Sequence, residues 1–454
     1  MMTRTEEFKK NICGKKVTVI GIGISNLPLI KYLVSLGADV TACDKRSSEE
    51  LGSNYTELDG LGVKFNLGAD YLDRIDGEII FKTPGMRYDV PQLNAARERG
   101  AVVTSEMEVF FDICPSHIIA ITGSDGKTTT TTLTHKMMTK AGYKTWLGGN
   151  IGNPLLTRAE DMGEDDWVIL ELSSFQLHTM RKSPEIAAIT NISPNHLDMH
   201  KDYQEYIDAK KNIMLYQNEK DILVVNADNK VTAEIGGEAK GMVKRFSRTD
   251  KTADFYVDGG YICRRGECVL SLDDITVPGM HNVENYMTAM AAVEGLVGDE
   301  VIREVAKEFE GVEHRIEFVR EINGAKYYNS SIDSSPNRTI NTLRVFEGKN
   351  VILISGGKDK GIPYDEIGKP IADGVKTLIL IGATTGKIEE AVNAAGAENL
   401  EIIKKNTYED VVKCAYEKAQ PGDIVLLSPA STSFDMFRNF EERGNLFKEL
   451  VKKL

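Results

Sequence analysis

The stretch Ile118-Ile119-Ala120-Ile121-Thr122-Gly123-Ser124-Asp125-Gly126-Lys127-Thr128-Thr129-Thr130 joins an apolar, β-branched run to a glycine turn and then to Lys-Thr-Thr at the head of a helix. Phosphate binding needs that order. Glycines let backbone N–H groups approach the anion, the helix N-terminus supplies positive potential, and Lys127 adds a full charge. The hydroxyl of Thr128, directly after the lysine, suits Mg²⁺. The commoner phosphate loop is longer, for here only Ser124 and Asp125 stand between Gly123 and the Gly126-Lys127 pair. The stretch reads as a nucleotide-phosphate site, against the plainer alternative of a turn that opens a helix.

Around this loop the bulk properties set limits. A chain of 454 residues is too long for one ordinary core, and roughly two to four domains are expected. Hydrophobic and charged contents of 41% and 27% are those of a soluble globular protein. The formal net charge of −13 argues against nucleic acid or an anionic membrane as partner. No apolar run approaches the ~18 residues of a membrane span, and Met1 to Lys16 lacks the apolar core of a signal peptide. Six cysteines are scattered without a Cys-x-x-Cys pair, Cys263 and Cys268 being the closest. Free thiols and a cytoplasmic location are expected.

Upstream of the loop, strand Val17 to Ile22, a glycine-rich turn and a second strand ending at Asp44-Lys45-Arg46 make a βαβ unit. Asn26 stands at the third glycine position of a dinucleotide fingerprint, so that signal is incomplete. Glu78 to Lys82 is a further strand. The pattern resets near residues 105 to 115, and strands Trp167 to Leu172, Ile186 to Ile192 and Asp221 to Asn226 follow the loop. Their near-continuous apolar character is that of a parallel sheet buried on both faces. Glu171-Leu172-Ser173-Ser174, the run Asn191 to Asp198 and the helix Asp202 to Tyr216 lie at strand ends and are expected to face the loop. His281 opens a helix on which Asn282 and Asn285 share one face. Gly311 to Arg315 reads as a hinge. Beyond it, strands Val351 to Ser355, Thr377 to Ile381 and Asp423 to Ser428 alternate with helices, and helix Phe434 to Leu454 closes the chain. The fold class is therefore α/β in three domains. A Rossmann-like N-terminal domain spans 1–106, a central P-loop-type ATPase domain with a mostly parallel sheet spans 107–311, and a Rossmann-like C-terminal domain spans 312–454.

The central domain offers Lys127, Thr128, Glu171 and His196, a set that suits Mg²⁺ near phosphates. Each has a bland alternative. His196 could be a hydrogen-bonded structural histidine, Lys210 and Lys211 solvated helix lysines, Asp333 a turn cap, and Ser433 and Phe434 the start of the last helix.

Taken together the motifs resemble the Mur ligases, ATP-dependent enzymes that build the peptide stem of peptidoglycan. The resemblance rests on Gly-Ser-Asp-Gly-Lys-Thr-Thr (123–129), Gly-Gly-Asn-Ile-Gly (148–152), Glu-Leu-Ser-Ser-Phe-Gln-Leu (171–177) and Asn-His-Leu-Asp (195–198). It continues through Ala-Lys-Lys-Asn-Ile (209–213), His-Asn-Val-Glu-Asn (281–285), His-Arg (314–315), Gly-Gly-Lys-Asp-Lys-Gly (356–361) and Leu-Ser-Pro-Ala-Ser-Thr-Ser-Phe-Asp-Met-Phe (427–437). It implies a monomeric ligase that joins D-glutamate to UDP-N-acetylmuramoyl-L-alanine through an acyl phosphate, with ATP as co-substrate. Gly123, Ser124, Asp125, Gly126, Lys127, Thr128 and Thr129 would hold ATP phosphates, and Asn282, Arg315 and Asp333 would meet the nucleotide once the domains close. Thr128 and Glu171 would bind one Mg²⁺. His196 and a carbamylated Lys210 would bind a second, so that Lys127, Glu171, His196 and Lys210 form the catalytic set. Ser25, Asp44 and Arg46 would meet the UDP moiety, and Asn150 and Ser173 the muramoyl-alanine part. Lys360, Ser433 and Phe440 would receive D-glutamate.

The chain departs from the family pattern at Asp333-Ser334-Ser335-Pro336-Asn337-Arg338, where a lysine is missing and Arg338 or Lys358 is the candidate replacement. Asn195 stands where an acidic residue is common, and Asp125 places a negative charge in the phosphate loop. The competing readings are a ligase for another amino acid, a folylpolyglutamate-synthase-like ligase, a nucleotide-gated switch and a nicotinamide-dependent oxidoreductase. A switch has no need of Glu171, His196 and Lys210 together.

Overall fold

A computed structural model describes residues 2–23, 25–194, 199–359, 361–397 and 400–454. The chain divides into two compact units, one of Met1–Asp274 with His281–Ala306 and the other of Ile275–Met280 with Lys307–Leu454.

The first unit carries two sheets. In one, strands Lys64–Leu67, Asp39–Asp44, Lys16–Ile20, Ile79–Phe81 and Val102–Thr104 lie in that spatial order, all parallel. The order of the connections reverses at Lys16–Ile20, and such a switch point leaves a crevice at the carboxyl end of the strand. In the other sheet the order is Glu267–Ser271, Tyr261–Arg264, Phe255–Asp258, Met242–Ser247, Ile222–Asn226, Ile186–Ile189, His117–Thr122, Trp167–Glu171 and Thr145–Gly149. Its pairs are parallel as far as Phe255–Asp258, and the last two strands fold back antiparallel. That hairpin extension has a readable signal in Gly259-Gly260 between two short β-prone runs, and it was not among the expected elements. The strand His117–Thr122 sits between Ile186–Ile189 and Trp167–Glu171, so the phosphate loop leaves the sheet at its switch point. One apolar cluster, including Val19, Leu29, Phe110, Leu170, Ile189 and Ile213, runs through the unit.

The second unit has one sheet, in the order Glu317–Ile322, Ala325–Asn329, Ile424–Leu427, Val351–Ser355, Val375–Leu380 and Glu401–Lys404. Only its first pair is antiparallel. The α/β class with mostly parallel sheets is as expected. The last helix is not: it spans Phe440–Lys453, with the Asn439 side chain accepting from Glu442 N as its cap. Ser433 instead starts a turn, its carbonyl accepting from Met436 N and Phe437 N. All six cysteines are free thiols, and Cys263 and Cys268 face each other across the hairpin with sulfurs 3.2 Å apart. Among the described residues no helix is long and apolar enough to cross a membrane.

Candidate active site

The phosphate loop is held from below by its own sheet. Gly123 has φ +152° and a Cβ there would meet Thr190 Oγ1 at 1.9 Å; Gly126 has φ +79° and a Cβ would meet Asn285 Oδ1 at 2.2 Å. Both positions therefore exclude a side chain on steric as well as conformational grounds. Ser124 N donates to Asn191 O at 2.8 Å and its hydroxyl lies 2.9 Å from the Tyr206 hydroxyl. Asp125 is exposed, with its N–H on Asn191 Oδ1; nothing in the structure explains its carboxylate. Lys127 opens the helix Lys127–Lys140 and its Nζ donates to the carbonyls of Gly123 (2.9 Å) and Ser124 (3.1 Å). Thr129 is buried in the first turn behind it. Thr130 Oγ1 donates to Asn285 Oδ1 at 3.3 Å, which ties the helix Met280–Ala292 to the loop helix, and within that helix Asn285 Nδ2 donates to Asn282 Oδ1 at 3.0 Å.

Three further groups converge here. Thr128 Oγ1 donates to Glu171 Oε2 at 2.7 Å, and Asn150 Nδ2 donates to Glu171 Oε1 at 2.7 Å. A hydroxyl beside a carboxylate is an oxygen donor set of the kind Mg²⁺ takes, so this pair fits a Mg²⁺ ion. Lys210, on the helix Tyr203–Leu215, is 1% exposed. Its Nζ donates to Gly123 O at 2.7 Å and lies 4.8 Å from the centre of the Tyr206 ring. Burial, aided by the charge of Lys127, pulls its pKa well below the ordinary lysine value. A neutral amine is the form that reacts with carbon dioxide, and burial shifts Lys210 toward that form, which is the chemistry a lysine carbamate needs. Its neighbour Lys211 pairs with Glu238 near the surface. Among the described residues no three His, Cys, Asp or Glu side chains gather into a metal cluster. His196 lies outside the described residues.

The first sheet adds a cavity of about 200 Å³ lined by Ser25, Pro84, Glu106, Asn150 and Gln176 among others. Ser25 thus shares this cavity with Asn150, the residue that bonds Glu171. Asp44 sits at the end of its strand with Oδ2 accepting from Ile22 N at 2.7 Å and both oxygens bonded to the Arg46 guanidinium. Burial alone would raise the Asp44 carboxyl, but these bonds outweigh it and hold it at about 2. Arg46 also donates to Ile22 O at 2.7 Å, so the pair shapes the glycine turn. Ser173 caps the short helix Ser174–Leu177 in a reciprocal box with Gln176. Glu106, Gln176 and Tyr206 were not singled out from the sequence. The latter two had signals: Gln176 lies within the Glu-Leu-Ser-Ser-Phe-Gln-Leu motif, and Tyr206 is four residues before Lys210 on one helix face.

In the second unit Asp333 is buried, with Oδ2 accepting from Thr342 Oγ1 (2.7 Å) and Ser428 Oγ (2.8 Å). Burial raises its pKa against those bonds and the opposing charge of Arg315. Phe440, at the start of its helix, accepts from Ser331 Oγ at 2.7 Å and its ring stands edge-on to His314. Ser433 is buried nearby in chain. Arg338 turns back to Ile332 O, and Lys358 bridges in backbone to Thr432. Lys360 lies outside the described residues.

Family models match along the chain: Mur ligase MurD-like, N-terminal domain over residues 15–105, Mur ligase middle domain over 121–293, and Mur ligase, glutamate ligase domain over 314–431. The UDP-N-acetylmuramoylalanine--D-glutamate ligase of Ruminiclostridium cellulolyticum is 55% identical over 100% of both chains, and that of Clostridium novyi 51% identical over 99% of both. The chain belongs to the Mur ligase family. Solved Mur ligases share its fold at low identity. UDP-N-acetylmuramate-alanine ligase MurC of Thermotoga maritima has a TM-score of 0.61 at 19% identity, covering 97% of this chain and 99% of that one. MurF of Acinetobacter baumannii has a TM-score of 0.56 at 16% identity, covering 98% and 92%. In this Mur ligase the segment matched by the middle-domain model contains Lys127, Glu171, Lys210 and Asn282 together.

Proposed function

We propose that this Mur ligase uses ATP to join D-glutamate to UDP-N-acetylmuramoyl-L-alanine in peptidoglycan precursor synthesis, as a cytoplasmic monomer. The carrying observation is a phosphate loop sharing one site with Glu171 and a buried Lys210, in a chain alike from end to end to ligases of that name. The division of labour is 1–106 for the UDP substrate, 107–311 for ATP and 312–454 for the amino acid.

The substrate carboxylate attacks the γ-phosphate, giving an acyl phosphate and ADP; the amine of D-glutamate then attacks the acyl carbon and phosphate leaves. Such a reaction is mostly positioning and charge neutralisation. Lys127 and the loop amides from Gly123 to Thr129 hold the phosphates, and Asn282, Arg315 and Asp333 meet the nucleotide. Thr128 with Glu171, and His196 with Lys210 as carbamate, would hold Mg²⁺, which would supply neutralisation of phosphate charge and orientation of the acceptor oxygen. Ser25, Asp44 and Arg46 receive the UDP part, and Asn150 and Ser173 the muramoyl-alanine part. Lys360, Ser433 and Phe440 receive D-glutamate.

Phosphate release from ATP tests this. It should require both UDP-N-acetylmuramoyl-L-alanine and D-glutamate; turnover with L-alanine, or release without D-glutamate, refutes the assignment.

A further inference from the structure

Arg87 lies in the loop after the strand Ile79–Phe81, and the chemistry above gives it no role. All five of its N–H donors are used. Nε and Nη2 donate to Asp89 Oδ1 and Oδ2, both at 2.9 Å. Nη2 and Nη1 donate to Glu205 Oε1 at 3.0 Å and Oε2 at 2.9 Å, and Nη1 also donates to Met199 O at 2.9 Å. Glu205 takes a further bond from Lys201 N at 2.7 Å. The rings of His178 and His200 stand 3.7 and 3.6 Å from its oxygens, and Lys201 Nζ lies 3.4 Å from Asp89. With side-chain exposures of 26% for Arg87 and 14% for Glu205, the fork is shielded from screening, and bidentate charge-assisted pairs are the strong ones.

The two ends of this hub matter. Glu205 is in the first turn of the helix Tyr203–Leu215, which carries Lys210. Arg87 follows Thr83–Met86, whose Pro84 lines the same cavity as Ser25 and Asn150. We infer that Arg87 is a positioning residue that fixes the acceptor-side loop against the Lys210 helix, coupling acceptor binding to assembly of the Mg²⁺ site. The inference rests on the ligase function proposed above.

Arg87→Met and Glu205→Gln test it, with Arg87→Lys as the conservative variant. Loss of such a supporting partner is expected to raise, by about 10-fold, both the Mg²⁺ concentration for half-maximal rate and the KM for UDP-N-acetylmuramoyl-L-alanine. The KM for D-glutamate should stay within about 2-fold, and the double variant should be little worse than Arg87→Met alone, because the Arg87–Glu205 bonds are already lost there. Arg87→Lys should recover part of the loss. In substrate-free protein, amides of 203–210 should exchange hydrogen faster in Arg87→Met while those of the phosphate-loop helix do not, since local opening is read directly that way. A uniform loss across all three substrates, or unchanged exchange at 203–210, overturns the inference. If Arg87→Met fails to fold, Arg87→Lys and Asp89→Asn carry the same measurements. Absence of D-glutamate-dependent phosphate release in the unaltered enzyme refutes the ligase function instead, and the exchange arm still decides whether Arg87 holds the helix.

Discussion

At the residue scale Lys210 and Lys211 are adjacent in sequence and opposite in character. One is sealed under Tyr206 against Gly123 O, the other pairs with Glu238 at the surface. Lys210→Ala is expected to lower the ligase rate by at least about 100-fold, beyond the usual cost of an outer-shell partner. Added short carboxylic acids should restore part of it by supplying the missing oxygen ligand; a wild-type rate in the variant would remove the carbamate from the site. Glu106 makes a second prediction. Burial raises its carboxyl from 4.5 to about 7 although it accepts from Leu156 N at 2.9 Å. The folded state then binds more protons than the unfolded one between those values. Its stabilising contribution is full below about 4.5 and is lost as pH rises through about 7. Glu106→Gln keeps the acceptor for Leu156 N and removes the titration. Urea denaturation between about pH 5 and 8 should show the wild type losing up to about 3 kcal/mol that the variant does not lose. Parallel curves for the two proteins would contradict this.

At the element scale the phosphate loop is the most constrained segment. Its two glycines meet Thr190 and Asn285 at distances no Cβ tolerates. Gly126→Ala should destabilise the fold by about 1–3 kcal/mol, the cost of a forced left-handed residue. It should also raise the KM for ATP at least about 10-fold, because the helix N-terminus must tilt away from the phosphates. An unchanged KM with a lowered melting temperature would mean that the loop relaxes without moving its amides. Most of this element was legible in sequence, since glycine, lysine and hydroxyl spacing is local. The last helix was not. Phe434 continues an amphipathic pattern, but the Asn439 side chain takes Glu442 N and starts the helix there, while Ser433 gathers the preceding N–H groups into a turn. Cap competition of this kind depends on which rotamer the tertiary packing allows.

At the scale of the whole molecule each unit has its own apolar core, with Val19, Leu170 and Ile213 in one and Leu353, Leu378 and Leu426 in the other. Separate cores permit separate unfolding. Both tryptophans, Trp146 and Trp167, belong to the first unit, so tryptophan fluorescence follows that unit alone. UDP-N-acetylmuramoyl-L-alanine at about 100 times its Kd should stabilise the fluorescence transition by about 2.7 kcal/mol. D-Glutamate alone should leave it in place and shift only the remaining transition seen by calorimetry. A single transition, unmoved by the UDP substrate, would contradict both assignments.

The amino-acid sequence by itself determined the α/β class, the parallel sheets and the family, because β-branched runs, glycine turns and motif spacing act over a few residues. It also placed Lys127, Thr128, Glu171 and Lys210 in one list. Only the tertiary structure decided that Thr128 bonds Glu171, that Lys210 is the buried lysine of its pair, and that Asp44 is taken up by Arg46 and the glycine turn. Those outcomes depend on burial and on partners tens of residues away, and Arg87, 118 residues before Glu205, has no local pattern that could announce it.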